Sequence, residues 1–415
     1  MPTRANSTGS DEGEKEDVNA VEHIASPGGK ENTGNAGPPI LTPEQERKLW
    51  RKVDLRILPI LTIMYLCSFM DRGNIGTPFK RVSLTAIHIH ISLSLVLKKF
   101  RPSRWLPGIT IVWGIIMTLM GIVKSLARVV LDLQGILTAI VGVAACFILV
   151  DFPDTAKFLT EEERAFLIFK KKYDNSSVGE EERFELQHLK AAVLDWQIWM
   201  QIMVYFGIVV PLYGISLFLP SIINSFGYNI AISELLTVPP YVCGVITLIV
   251  FAVLSDMLKM RSPFILAGLL MCLIGFAINI SDAAVGVKYF GTFFCVSGAY
   301  AALPGVVAWL GNNLAGQYKR AAGMGIQIGI GNFAGAIASN IYLSQDAPRY
   351  ILGHALELMF VGIGLVFLPL TVLAYRSINK RRDLEQRRLD ERGVKYTVEE
   401  LRRMGDRAPD FRYTL

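Results

Sequence analysis

Charge is scarce in this chain: Asp, Glu, Lys and Arg make up 19% of 415 residues, against 52% hydrophobic ones. With a mean hydropathy of +0.38, the apolar runs are too many and too long for one soluble core, which implies a polytopic membrane protein. Cysteine is sparse as well. Cys67, Cys146, Cys243, Cys272 and Cys295 all fall inside apolar runs without metal-type spacing, and an odd number cannot all pair internally, so they read as packing residues. No metal and no cofactor is expected. A basic stripe interleaved with aromatics is also missing: the net charge is only +6 and the basic residues sit beside apolar segments, which argues against nucleic acid. Residues 1–40 lack the basic-then-apolar order of a secretory signal and read as a disordered tail, leaving the plasma membrane as the default location. Paired His/Glu metal spacing and activated-nucleophile motifs are absent, so an enzyme is not expected; His88 and His90 in a short apolar run read as incidental.

What the chain does have is spans. Crossing the hydrocarbon takes ~20 apolar residues, and candidates lie near 57–77, 105–126, 131–150, 199–222, 235–255, 263–282, 288–310, 322–343 and 354–376. A further segment, 82–97, is short and polar, but counting it keeps the basic segments 98–104 and 151–198 and the tail after Arg376 on one side of the membrane. The expectation is all-α with about ten spans. Thr42-Pro43 looks like a helix start, and the basic residues from Arg47 to Arg56 hold the amino terminus inside. Later loops follow the charge rule through Lys259, Arg261, Lys319 and Arg320, with Arg349 as the main exception. Between the two groups of spans, residues 151–198 read as a cytosolic linker whose Thr160-Glu-Glu-Glu163 has capping-box form.

Asp71 and Arg72 stand side by side at the end of the first apolar stretch, where a bilayer disfavours ionised groups, so they are functional suspects. Arg72 offers a fork of donors to a carboxylate, and Asp71 beside it suits holding a proton; an ion pair at the water interface is the alternative. Asn74 is placed to orient either one, or else to bond the backbone at a helix end. In the later spans Tyr213, Tyr241, Asn312 and Gln327 are candidate cavity donors, with interhelical hydrogen bonding as the competing role for Gln327 and Asn332. Pro211, Pro304 and Pro369 are candidate gating joints. The glycine string from Gly323 to Gly335 has no preceding strand and no following ribose-binding acid, so it reads as close helix packing and not as a phosphate loop.

Several stretches together, Leu58-Pro59 with Tyr65, Phe69-Met-Asp-Arg-Gly-Asn-Ile-Gly76, Leu97 to Trp105, Asp151-Phe-Pro-Asp154, Phe158 to Arg164, Asp346-Ala-Pro-Arg-Tyr350 and Gly405 to Tyr413, resemble the fungal anion:cation symporter branch of the major facilitator superfamily. This is the allantoate, nicotinate and pantothenate permease group. The resemblance implies uptake of a small organic anion together with a proton, by a monomer in the lipid bilayer, with Arg72 as anion contact and Asp71 as proton carrier. It also makes Lys98, Arg101 and Arg104, and their counterparts Asp256 and Arg261, gating residues of two inner loops, a role that competes with a merely topological one.

Members of the family have two six-helix bundles. Here the second bundle, 199–376, looks complete, whereas the first, 46–150, lacks most of span two and all of spans four and five. The family's fourth-span Arg and Glu have no match. The expected organisation is a tail at 1–45, a reduced amino-terminal bundle, the linker 151–198, a complete six-helix bundle and a basic cytosolic tail at 377–415. A transport-inactive, truncated or mis-spliced member of the family is the alternative.

Overall fold

The computed structural model describes residues 41–75, 102–123, 128–150, 156, 158–173, 186–342, 344–346, 349–394, 396–397, 400–401 and 404–415; the segment 82–97 lies outside them. Among the described residues the regular elements are all helices. The first is α1 (Pro43–Ile75), which starts at the Thr42-Pro43 step. There the Gln45 amide donates to the Thr42 hydroxyl at 3.4 Å, and the Thr42 amide donates to the Gln45 side chain at 2.9 Å. This reciprocal pair satisfies two donors that every helix start leaves open.

Two apolar helices follow, α2 (Pro102–Val123) and α3 (Arg128–Ile148). They approach so closely that a Cβ on Gly114 would stand 2.6 Å from the Ala139 nitrogen, and one on Gly135 would stand 2.6 Å from the Thr118 nitrogen. Small residues at a crossing let backbones meet, the usual device for helices in lipid. Next comes α4 (Glu161–Tyr173), whose Thr160 and Glu163 form the capping box. This helix lies against the polar first half of α1. Leu159 and Leu167 pack with Leu49, Lys52 pairs with Glu163 at 2.8 Å, and Lys170 pairs with Glu46.

After α5 (Leu186–Val193) come α6 (Trp196–Asn224), α7 (Ile230–Leu235), α8 (Val238–Met257), α9 (Ser262–Ile280), α10 (Val285–Asn313), α11 (Gln317–Gly331), α12 (Phe333–Ala338) and α13 (Ile351–Glu391). Starts are set by local chemistry: Asp195 caps α6 by accepting from the Gln197 amide at 3.0 Å, and Asn229 caps α7 by accepting from the Ile232 amide at 2.8 Å. Prolines stand in the first turns of α8 and α9. Among the described residues six stretches are long and apolar enough to cross a bilayer: Trp196–Asn224, Ile230–Met257, Ser262–Ile280, Val285–Asn313, Tyr318–Ala338 and Ile351–Glu391. They share one core, with Trp309, Phe276, Leu269 and Tyr375 fully buried.

The last helix departs from the expected span 354–376. It runs unbroken for 41 residues, ~60 Å of rise, twice a bilayer's ~30 Å of hydrocarbon. The reason is that residues 376–391 are Arg, Lys, Glu, Gln and Leu in the main, good helix formers that carry the apolar span on as a polar rod. The chain then returns, and residues 405–415 dock against the same helices.

Candidate functional site

Tyrosines from three helices meet on one face of the bundle. On α6, Tyr205, Tyr213 and Ser216 lie about two and three turns apart, so they share a side. The Ser216 and Tyr300 hydroxyls stand 2.7 Å apart, and the Tyr300 ring meets Tyr241 edge-on with centroids 5.7 Å apart. Tyr65 of α1 lies within electrostatic reach of both Tyr205 and Tyr300. The glycine string of α11 and α12 is what allows this: a Cβ on Gly331 would fall 2.0 Å from the Tyr205 ring, and Gly335 faces the Tyr213 ring. Tyr213 and Tyr241, singled out separately in the sequence, therefore belong to one cluster. Tyr205, Ser216 and Tyr300 were overlooked, although the spacing of Tyr205, Tyr213 and Ser216 along α6 is a signal that finds them.

Gln327 is fully buried one turn before Gly331, and neither its amide nitrogen nor its amide oxygen has a hydrogen-bond partner. Asn312 does not join the cluster. It is exposed at the end of α10, twelve residues and ~18 Å of helix from Tyr300. Its neighbour Asn313 is buried and bonds Thr414, donating to the carbonyl at 3.1 Å and accepting from the amide at 2.8 Å.

Near the other end of the bundle, sequence reasoning missed Glu357. Its carboxylate is fully buried on α13, with both oxygens unpartnered. The site exists because α6 carries glycine at 214: a Cβ there would fall 1.8 Å from the Glu357 Oε1. One turn earlier His354 is buried too, its Nδ1 3.0 Å from the Tyr342 hydroxyl. An acid and a histidine three residues apart in an apolar run were the available signal.

The end of the bundle that bears Lys259, Arg261, Lys319 and Arg320 is organised differently. Lys319 Nζ lies 2.6 Å from Asp195 and 2.6 Å from Asp406, all three largely buried. Arg382 donates to the carbonyls of Asp406 and Phe411 at 2.5 and 2.8 Å and stands over the Tyr413 ring. Trp309 donates to the Thr414 carbonyl at 2.8 Å. Burial and the neighbouring Asp406 carboxylate raise the Tyr413 phenol above its ordinary range. The candidate loop residues Asp256 and Arg261 are paired at 2.5 Å, Arg261 also donates to Ser255 at 3.0 Å, and its backbone amide donates to the Leu415 carbonyl at 2.7 Å. Arg349, the exception to the charge rule, pairs with Asp282 at the opposite end.

Asp71, Arg72 and Asn74 lie in the last turn and a half of α1, and their side chains are outside the described residues, as are Lys98 and Arg101. Arg104 is exposed in the first turn of α2. Between α2 and α3 an open groove of about 580 Å³ is lined by Ile115, Leu119, Ile136, Ile140 and Val143 among others, walls suited to lipid chains and not to an anion.

The sequence profile of the Major Facilitator Superfamily matches residues 105–339, more than half of the chain. This chain belongs to that superfamily. A member from Schizosaccharomyces pombe, described as an uncharacterized transporter, is 28% identical over 464 aligned positions covering 90% of this chain and 91% of the relative. A high-affinity nicotinic acid transporter of Saccharomyces cerevisiae is 32% identical over 62% of this chain and 47% of the relative. An MFS-type transporter of Penicillium expansum is 26% identical over 473 aligned positions, 89% of this chain and 90% of the relative. The chain is thus a multi-pass membrane protein of an all-α superfamily of transporters, and its likeness is to fungal members.

Proposed function

We propose that this protein carries a small organic anion, a carboxylate of the nicotinate, allantoate or pantothenate kind, across the plasma membrane together with a proton. The observation that carries the reading is the cluster of Ser216, Tyr241 and Tyr300: aromatic rings with hydroxyl donors suit a small carboxylate. The nicotinic acid transporter among the relatives supports the substrate class. In this reading Arg72, with Asn74, meets the carboxylate from α1, and Tyr213, Tyr241 and Gln327 meet the solute from the second bundle. Asp71 takes part in proton exchange. The basic end faces the cytosol, where the pair Asp256 and Arg261 opens and closes with the opposite loop of Lys98, Arg101 and Arg104. The carrier works as a monomer. Purified protein in vesicles, acidic outside, should accumulate labelled nicotinate or a competing carboxylate, and Arg72→Ala should abolish accumulation. Vesicles that stay empty while those bearing a full-length relative fill would reject it.

One observation favours a second reading, a transport-inactive chain. The alignments with the fission-yeast and Penicillium relatives are longer than the whole chain. With 90% of 415 residues aligned over 464 positions, about 90 positions of the fission-yeast alignment face no residue here, room for three or four spans of ~20 residues with their loops. A loss of most of span two and of spans four and five would need about that much room. Sequencing the transcript across codons 78–96 and 124–134 separates a mis-spliced product from a chain encoded in this form.

A further inference from the structure

Glu357 has no place in the reading above, and it is the acid that the interior treats most unusually. It sits six residues into α13, ~9 Å of helix rise inside the span, fully buried. Among the described residues, the Cys272 thiol of α9, the Cys295 thiol of α10 and the Tyr342 phenol before α13 lie within its electrostatic reach; His354 stands one turn earlier on α13, and α6 presents Gly214. Lys288, near the start of α10, is the charge whose field reaches His354. No cation pairs with Glu357 among the described residues, and neither of its oxygens accepts a hydrogen bond.

An ionised carboxylate buried among thiols, a phenol and glycine, with no hydrogen bond, costs far more than a neutral one. Acids kept inside membrane bundles mark substrate or ion pathways and proton relays built of Asp, Glu and His. We infer that Glu357 is a proton-binding site of the second bundle, reached from the end opposite the basic loops through His354 and Tyr342. The carboxyl is neutral in this arrangement. A proton from water forms the O–H bond on a Glu357 oxygen when the site opens, and that bond breaks to return the proton to water when the bundle opens the other way. Glycine at 214 leaves the room the carboxyl occupies. This inference rests on the proton-coupled reading for its role in transport, but not for its chemistry.

Two measurements keep these apart. In purified wild-type protein, infrared difference spectra should show the carbonyl stretch of a protonated carboxylic acid that disappears on raising the pH and is absent in Glu357→Gln. A spectrum that Glu357→Gln leaves unchanged overturns the inference whatever the transport result. In vesicles, Glu357→Gln should lose accumulation driven by an acid exterior, down to the level of protein-free vesicles, while keeping exchange of labelled for unlabelled nicotinate at equal pH. Gradient-driven accumulation equal to wild type overturns it. If the wild-type chain exchanges no nicotinate, the carrier reading falls, and the infrared arm alone decides Glu357.

Discussion

Two buried acids in the same helical bundle are treated in opposite ways. Asp406, at the basic end, accepts from Lys319 at 2.6 Å and from Gln197 at 3.3 Å, and its backbone carbonyl takes the Arg382 guanidinium. Glu357, toward the other end, has two bare oxygens and no cation. The first is a clasp: residues 406–415 tie together α6, α9, α10, α11 and α13 by hydrogen bonds and an ion pair. The second is a group left unfinished in the packed state, which is where a change of protonation has most leverage. A carrier needs one part of a bundle to stay together while another part changes state, and these acids divide along that line.

The widest separation between the two should come from making the same chemical change in both places. Asp406→Asn removes one of two carboxylates from Lys319 and is expected to cost about 3 kcal/mol, the low end for breaking a buried pair because Asp195 still holds the ammonium. Glu357→Gln swaps a neutral, unpartnered carboxyl for an amide of the same shape and should move stability by less than about 1 kcal/mol. Thermal unfolding of the two purified variants in one detergent compares them directly. Equal losses would erase the distinction between clasp and unfinished site.

A smaller effect sharpens the clasp itself. Asn313→Ala deprives the Thr414 amide and carbonyl of their side-chain partner and should cost about 1–3 kcal/mol, the range for stranding buried polar groups. Because Trp309 still holds the Thr414 carbonyl, the tail should loosen without releasing. Amide exchange in 405–415 should quicken, while exchange in the middle of α10 stays as it was. Faster exchange throughout the bundle would mean that the tail is part of the core and not a strap on it.

Most of the fold was legible because it is local. Apolar run lengths locate α6, α8, α9, α10 and the start of α13 within a few residues, and Thr42-Pro43 and Thr160 to Glu163 mark helix starts by capping chemistry that acts within one turn. The site was legible only in part. Tyr213 and Tyr241 stood out as polar residues after prolines, but their meeting with Tyr300 depends on how α6, α8 and α10 pack, which no local pattern encodes. Glu357 carries a local signal, with His354 three residues before it in an apolar run, but the burial beside Gly214 that sets it apart comes from another helix, far away in sequence. The clasp joins Asp195 to Lys319 and Asp406, and Asn313 to Thr414, separations that a reading of periodicity does not reach.

The weakest expected effect concerns a second pair of acids, on the polar surface where α4 meets α1. The Lys170 hydrogen bond holds Glu46 below the ordinary carboxylate range, and the Lys52 hydrogen bond does the same for Glu163. Because their pKa values are lower when folded than when free, their contribution is present in full above the unbound value of about 4.3 and is lost as pH falls through the folded values. Both sites are partly open to solvent, so the contribution is small, about 0.2–1 kcal/mol for each pair before screening by salt. Protection of the α4 amides, relative to the intrinsic exchange rate at each pH, should therefore be level from neutrality down to pH ~5 and fall below ~4, more at low salt than at high salt. Leu49, Leu159 and Leu167 stay packed regardless, so α4 should not detach. Lys52→Met should remove part of the acid sensitivity and leave Glu357-dependent infrared changes untouched, since among the described residues no bond joins Glu163 to Glu357. A change at Glu357 on altering Lys52 would instead show that the interior site senses the polar surface across the bundle.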